Sequence, residues 1–404
     1  LLLRRSAGER VDASLAKSWL QECNKNHEHA KRTRNTTNSL FQHKDGFLLI
    51  DVIDEKLVRR NKPCEYVALS YIWGGVEPFR TTTKNIDRLC SASGSLSPSQ
   101  LASLGEGEIP RTVLDAMEFT RQLGIRHAWV DTLCILQDDD NEKARLIGRM
   151  DDIYDNAAVT LIAGSGANSE TGLLGVSPRE GGLPIERTTI VDDYGDGDEL
   201  TFNLAMCPPG LCEEVRRSAW NTRCWTYQEQ CLSQRCLYFT PHEVFFNCSE
   251  MQRREAYALQ QPKGKIYSDL QLRTGPPWWN RKLRKDLDPT PYRYMGELNA
   301  SRLTIWDYQT AVQDYTRKNL TYQEDIFNAF QGIFNRFSVQ EEEKLLIGQT
   351  QGIPARFLWQ GMLWFPSHKA RKRVALPDSP AWLTKYFASW SWYEAYFSVD
   401  FQIY

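Results

Sequence analysis

Three aromatic-rich blocks carry most of the residues able to do chemistry. They are Tyr66-Val-Ala-Leu-Ser-Tyr-Ile-Trp-Gly74, Ala128-Trp-Val-Asp-Thr-Leu-Cys-Ile-Leu-Gln-Asp138 and Arg223-Cys-Trp-Thr-Tyr-Gln-Glu229. The first two begin as apolar, strand-like runs, which places Ser70, Tyr71, Trp73 and Asp131 at strand ends. Open α/β sheets bind ligands at that rim. In the third block Trp225 and Glu229 are four residues apart and share one helical face. Trp73 precedes Gly74 and Gly75, so it ranks first among ligand contacts, and the glycines let backbone approach a ligand. Plainer roles stand beside these. Glu229 is equally readable as a solvated helix residue or as a partner of Arg223 or Arg235. Trp129 and Trp225 suit a core, and Asp131 suits a turn cap.

Other chemistries find little support. Formal net charge is −2 with 25% charged residues, so no bulk field attracts nucleic acid or an anionic membrane. The basic runs at 281–285 and 369–373 read as solvated faces. No apolar stretch approaches the ~20 residues of a membrane-spanning helix. Residue 1 is Leu, and the Leu-Leu-Leu-Arg-Arg opening is too short for a signal peptide, which points to a trimmed chain. The ten cysteines form no Cys-x-x-Cys pair, and several sit in apolar runs, as expected of a reduced, cytoplasmic protein. None of the six His pairs with Cys at zinc-ligand spacing, so no metal is expected. Cys134 and Cys224 lack a nearby His, which argues against a cysteine nucleophile.

The elements that must position the blocks come from periodicity. Phe47–Ile53 begins a hairpin, and 65–71 is a strand. Residues 91–109, rich in Gly and Ser, read as an exposed loop. Pro110 opens a helix at its first position, with Val113, Met117 and Leu123 on its apolar face and Gly124 stopping it. After the strand 127–131, acids at 138–140 start a single helix through Leu146, Met150, Ile153 and Tyr154. A buried strand comes next at 157–163. The β-α-β-α-β alternation over 65–163 predicts a parallel sheet with right-handed crossovers. A polar insertion then runs from about 164 to 218; its Gly164-Ser165-Gly166 opening is only a weak phosphate-loop signal. Beyond it come a helix over 220–231, strands 235–239 and 244–248, a linker over 252–292, helices 305–317 and 324–337, and a strand-like run at 386–392. Three regions result: an N-terminal segment and hairpin (1–60), an α/β domain (61–250) and an α+β C-terminal region (251–404).

Taken together the blocks resemble the fungal HET (heterokaryon incompatibility) domain, whose signature reads close to ALSY-WG, W-D-LCI-Q and R-WT-QE. The stretch 320–333 and Ser389-Trp-Ser-Trp392 resemble segments C-terminal to that domain in many members. Element order also resembles TIR domains, which implies a TIR-like (flavodoxin-like) core. Some TIR domains hydrolyse NAD through a helix Glu, a role the resemblance carries to Glu229. It further implies ligand contacts from Ser70, Tyr71, Trp73, Gly74, Gly75, Asp131 and Trp225, with Arg223 or Arg111 meeting a diphosphate. Nicotinamide leaves NAD as a neutral group, so one carboxylate suffices where most glycosidases use two.

The expected function is thus non-self recognition and programmed cell death, with NAD as substrate, no required cofactor, and activation by self-association or a protein partner. The alternatives are a non-catalytic module that signals by assembly, and nucleotide sensing without turnover. Three departures stand out. About sixty residues separate Ala163 from Trp225, a length that suggests an added subdomain. Leu136 stands where the family more often has Asn. Tyr393-Glu394-Ala395 replaces the usual Gly-containing continuation.

Overall fold

A computed structural model of the chain describes residues 9–27, 40–75, 78–91, 93–103, 107–179, 187–193, 199–205, 209–255, 303–338, 353–358, 362–366, 371–372, 395–396 and 399–401. The strand-like run at 386–392, most of the linker, and Tyr393 and Glu394 after Trp392 lie outside them. So does the run 281–285.

Through Arg254 the strands are β1 (Phe47–Asp51), β2 (Lys56–Arg60), β3 (Tyr66–Ser70), β4 (His127–Trp129), β5 (Val159–Ala163), β6 (Arg187–Asp193), β7 (Glu199–Ala205), β8 (Arg235–Phe239), β9 (Val244–Cys248) and β10 (Gln252–Arg254). Eight join one sheet in the order β10-β9-β8-β5-β3-β4-β1-β2. Its four middle strands, β8, β5, β3 and β4, are mutually parallel, while the hairpins at both edges are antiparallel. β3, β5 and β8 are buried at every position, which is why they read as apolar runs rather than alternating ones. β2, at the edge, instead carries part-exposed Arg59 and Arg60, charges that discourage edge-to-edge pairing. The N-terminal hairpin therefore extends the central sheet through β1–β4 pairing, and the first residues of the expected linker form β10.

The helices include α1 (Ala13–Asn26), α2 (Arg111–Leu123), α3 (Asp140–Ile147), α4 (Met150–Asn156), α5 (Cys224–Leu232), α6 (Ile305–Thr316) and α7 (Asn328–Phe337). Pro110 is the N-cap of α2 rather than its first helical residue. Its extended ψ of 146° explains the one-residue shift. Gly124 adopts φ 80° and ends α2 as its left-handed C-cap, a conformation that favours glycine. The single helix expected after Asp138 is two. Asp139 caps α3 by accepting from the Asn141 and Glu142 amides. The chain then leaves helical geometry at Arg149, where ψ reaches 19°, before α4 begins.

The segment 91–109 is not simply an exposed loop: it includes a short helix at Pro98–Ser103 and sends Leu96 and Leu101 into the core. The Leu96 amide donates to the Glu55 carbonyl at 2.6 Å. Within the insertion, residues 169–177 pack back on α2, with the Leu173 amide donating to Asp115 at 2.9 Å. β6 and β7 pair with each other in a separate two-stranded sheet. Gly164-Ser165-Gly166 bends at Ser165, and a Cβ on Gly166 would lie 2.7 Å from Thr171 Cβ.

The C-terminal region contributes α6, α7 and two short antiparallel strand pairs, Trp364–Pro366 with Val399–Phe401 and Arg371–Lys372 with Ala395–Tyr396. Together α6 and α7 build a second apolar core against one side of α5, where Cys224, Tyr227 and Cys231 meet Tyr315, Phe330 and Ile333. Gly332 makes the close crossing possible. A Cβ there would lie 2.7 Å from Leu232 and 2.8 Å from Gln228 Oε1, which already accepts from the Gly332 amide. Helix α5 is thus clamped between the sheet and the C-terminal helices, and that clamp fixes where Glu229 points.

Candidate functional site

The carboxyl ends of β3 and β4 and the first turns of α5 converge on a cleft of about 630 Å³. Tyr71, Trp73, Gly75, Asp131, Arg223, Trp225 and Glu229 all line it. The i, i+4 spacing of Trp225 and Glu229 turns both toward the same cavity, as their shared helical face requires. No lining residue among those described comes from the insertion 164–218.

Glu229 is 7% exposed. Its Oε2 accepts a short hydrogen bond from Ser70 Oγ, and Ser70 Oγ in turn accepts from Trp220 Nε1 at 2.8 Å. The Tyr154 hydroxyl reaches the same carboxylate and also donates to the Leu69 carbonyl at 3.2 Å. Burial raises the Glu229 pKa to about 8, with Asp131 adding to the rise, while Ser70, Arg223 and Tyr154 act against it. Asp131 begins a one-turn helix, Asp131–Cys134, and accepts from the Thr132 amide at 2.7 Å. It also accepts from the Trp73 and Tyr71 side chains, yet burial still lifts its pKa to about 6. The Tyr71 hydroxyl lies 3.0 Å from Thr132 Oγ1. At neutral pH Glu229 is therefore mostly protonated while Asp131, one unit below neutrality, is mostly ionised, and the proton affinity of both drops if a cation enters.

Some expectations from sequence are corrected by the geometry. Ser70 is wholly buried beneath Glu229, so it supports the carboxylate rather than meeting a ligand. Gly74 faces the insertion: a Cβ there would lie 2.2 Å from Asn168 Cβ, and φ is 69°. Its small size serves chain packing, whereas Gly75 borders the cleft. Arg111 lies in a different pocket, where its Nε contacts Asp115 at 2.9 Å and Ser177 Oγ at 3.0 Å. Glu229 is neither solvated nor an ion-pair partner of Arg235, which donates to the Ala158 carbonyl. Trp129 is core, edge-on to Tyr154 at 5.7 Å, but Trp225 is a wall of the cleft.

Other contributors escape sequence reasoning. Arg80 lies over the Trp73 ring at 5.5 Å, and Lys143 and Met150 come from α3 and α4. Thr321, Tyr322 and Asp325 close the far side. These last three lie in the 320–333 stretch singled out by its resemblance, so a signal for them existed. Their place is secured by the 318–319 segment: the Cys224 amide donates to the Asn319 carbonyl at 3.0 Å and the Asn319 amide to Thr222 at 2.7 Å. Lys318 Nζ adds a 2.7 Å contact to the Asn221 carbonyl. Spacing along the chain also gave no sign that Cys23, His27 and Cys248 meet, as they do at the rim of the sheet opposite the cleft.

Fold and site together define an α/β protein with a carboxylate-floored cleft at the carboxyl rim of its parallel strands. Residues 66–229 match the family model described as Heterokaryon incompatibility protein (HET). It is similar to "Heterokaryon incompatibility protein 6, OR allele" of Neurospora crassa, with 24% identity over 243 residues. That match covers 52% of this chain and 35% of the relative, so the chain spans about a third of the length of the curated relative it matches. No solved structure matches. Among the described residues no helix is long and apolar enough to cross a membrane.

Proposed function

We propose that this chain hydrolyses the bond between nicotinamide and ribose in NAD, with Glu229 as the catalytic carboxylate. The observation that carries the reading is the convergence of Glu229, Asp131 and Trp73 on one cleft, with Glu229 held from behind by Ser70 and Trp220. Strand order supports it. Numbering the parallel strands along the chain, β4-β3-β5-β8 reads 2-1-3-4, the start of the flavodoxin-like order. The TIR-like core implied by resemblance has that order, and ligands of such sheets sit where the order reverses.

The chemistry asks little of the protein beyond charge and position. Cleavage releases neutral nicotinamide and leaves an oxocarbenium-like ribose, which water captures to give ADP-ribose and a proton. A carboxylate beside that carbon stabilises the developing positive charge in a dry site. The pyridinium of the incoming substrate is itself cationic, so its binding favours the ionised form of Glu229. The Ser70 hydroxyl, already donating to Oε2, keeps the carboxylate aimed. Trp73 and Trp225 offer aromatic walls for the flat rings, and Arg223 and Arg80 supply positive charge for the diphosphate.

Nicotinamide release by concentrated chain, beside Glu229→Gln prepared identically, tests this. Release by the parent and its loss in the folded variant supports glycohydrolase activity. No release at any protein concentration, with cell killing equal in both forms, would move the function to signalling by assembly. Turnover rising more steeply than protein concentration would support activation by self-association.

A further inference from the structure

At the rim of the sheet opposite the cleft, three potential metal ligands gather from both ends of the described N-terminal fold. Cys23 lies in the last full turn of α1, and His27 is its C-cap residue, four positions on and on the same face. Cys248 ends β9, where its register partner is Arg235, the first residue of β8. Because β8 runs parallel to β3, that end of the sheet is the one remote from Trp73 and Glu229. All three residues are buried, with Cys23 at 0% and Cys248 at 4% exposure.

We propose that Cys23, His27 and Cys248 bind a zinc ion, which fastens α1 to the edge of the sheet. The geometry fits. His27 Nδ1 lies 3.4 Å from Cys248 Sγ, and the three ligand atoms lie within 4.8 Å of one another. A tetrahedral ion with bonds of about 2.3 Å to sulfur and about 2.0 Å to nitrogen sets neighbouring ligand atoms roughly 3.5–3.8 Å apart. Only small side-chain adjustments separate the observed cluster from that arrangement.

The donor chemistry selects the ion. Two thiolates and an imidazole favour zinc over magnesium or calcium, which take oxygen ligands. Two thiolates also neutralise the dication, which makes so buried a site tolerable. A water completes the fourth position, as three protein ligands leave it open. The surroundings are built to hold the ligands still. Trp19 of α1 packs on Phe246 of β9 with ring centroids 6.4 Å apart. Arg253 of β10 reaches Glu22 of α1 at 2.7 Å, and the Cys248 amide donates to the Met251 carbonyl at 2.9 Å. Such a site serves architecture rather than the chemistry of the cleft: it ties the first helix of the chain to the last hairpin of the sheet.

The test is metal content of the purified 404-residue chain after exhaustive dialysis, with cobalt(II) titration of the metal-stripped protein afterwards. Expected are one zinc per chain and a thiolate-to-cobalt absorption that saturates at one equivalent. Cys248→Ser should lose about half of that absorption per bound cobalt, since one of two thiolates is gone. Cys212→Ser, which replaces an exposed cysteine, should leave it unchanged. Zinc should raise the melting temperature of the parent and not that of Cys248→Ser. The parent alone decides if the variant fails to fold: no retained zinc and no cobalt absorption at any ratio overturns the proposal. A Cys23–Cys248 disulfide in protein kept under reductant overturns it equally.

Discussion

Two pockets of this chain are lined by acids and bases, and they treat charge in opposite ways. In the smaller, of about 400 Å³, every acid named has a basic partner. Arg111 holds Asp115 at 2.9 Å, and Arg121 bonds Glu118 and lies 3.1 Å from Glu55. Asp115 further accepts from the Leu173 amide and Ser177 Oγ, so it pins the start of the insertion to α2. In the larger cleft, burial raises the pKa values of Asp131 and Glu229 to about 6 and about 8, and their nearest donors are hydroxyls, an amide and an indole. The difference separates charge used to hold chain segments together from a carboxyl, Glu229, kept in reserve. Arg111 and Asp115 have satisfied each other; Glu229 gains its full charge only when something cationic arrives.

That contrast can be broken most severely at Glu229. Glu229→Gln should lower nicotinamide release by about 10²–10³-fold, the size expected when a preorganised charge-stabilising group is lost. Steady-state release assays with circular dichroism as a folding check would show it, and equal rates in both proteins would erase the distinction between the pockets.

The same residue sets the next effect, on stability. Glu229 binds its proton more tightly in the folded chain, with pKa about 8, than at its ordinary value of 4.5. The stability it contributes is therefore complete below about 4.5 and is lost as pH rises through 8, at about 1.4 kcal/mol per unit. Glu229→Gln lacks that loss, so its melting temperature should gain on the parent between pH 5 and 8. A constant difference across that range would mean the carboxyl is already ionised.

Asp115→Ala should cost about 2–3 kcal/mol, because it strands the buried Leu173 amide and the Ser177 hydroxyl, yet leave release unchanged. Urea melts and the release assay read the two halves independently. Ser70→Ala removes a donor that favours the charged form of Glu229, so the pH midpoint of kcat/KM should move upward from about 8. A pH profile identical to the parent would reduce Ser70 to a packing residue. Arg111→Ala should be the mildest, within about 1 kcal/mol, because the guanidinium is half exposed and the buried Asp115 keeps its bonds from the Leu173 amide and Ser177, with release unaffected. If it abolished release, the smaller pocket would belong to the active site after all.

Much of the site is legible in the sequence because its residues fall at strand ends and on one helical turn. Trp73 and Asp131 come after apolar runs that could only be buried strands, and the Trp225–Glu229 spacing holds in any helix. Ser70 reads wrongly as a ligand contact, since a strand-end hydroxyl looks the same whether it faces a cavity or a carboxylate behind it. Arg111 misleads because a helix N-terminus attracts anions in general, while here Asp115 one turn on has already taken it. Gly74 looks like backbone clearance for a ligand and proves to be clearance for Asn168. Tyr322 and Asp325 lie in a stretch the resemblance had singled out, but nothing local ties the segment before α7 to the mouth of a cleft built from Tyr71, Asp131 and Glu229.

What the sequence by itself determined were the short-range properties. The apolar runs became parallel strands, Gly124 stopped α2, Asp139 started α3, and Glu229 shared a face with Trp225. Each depends only on backbone stereochemistry and side-chain period. The tertiary structure alone decided that α5 lies between two cores with Glu229 turned inward. It decided that the insertion stays clear of the described cleft, and that Cys23 and His27 meet Cys248 more than two hundred residues away. Those outcomes depend on burial and on distances across the sheet. Burial is what sets the proton affinity of Glu229, because the cost of charge in a dry cleft depends on everything packed around it.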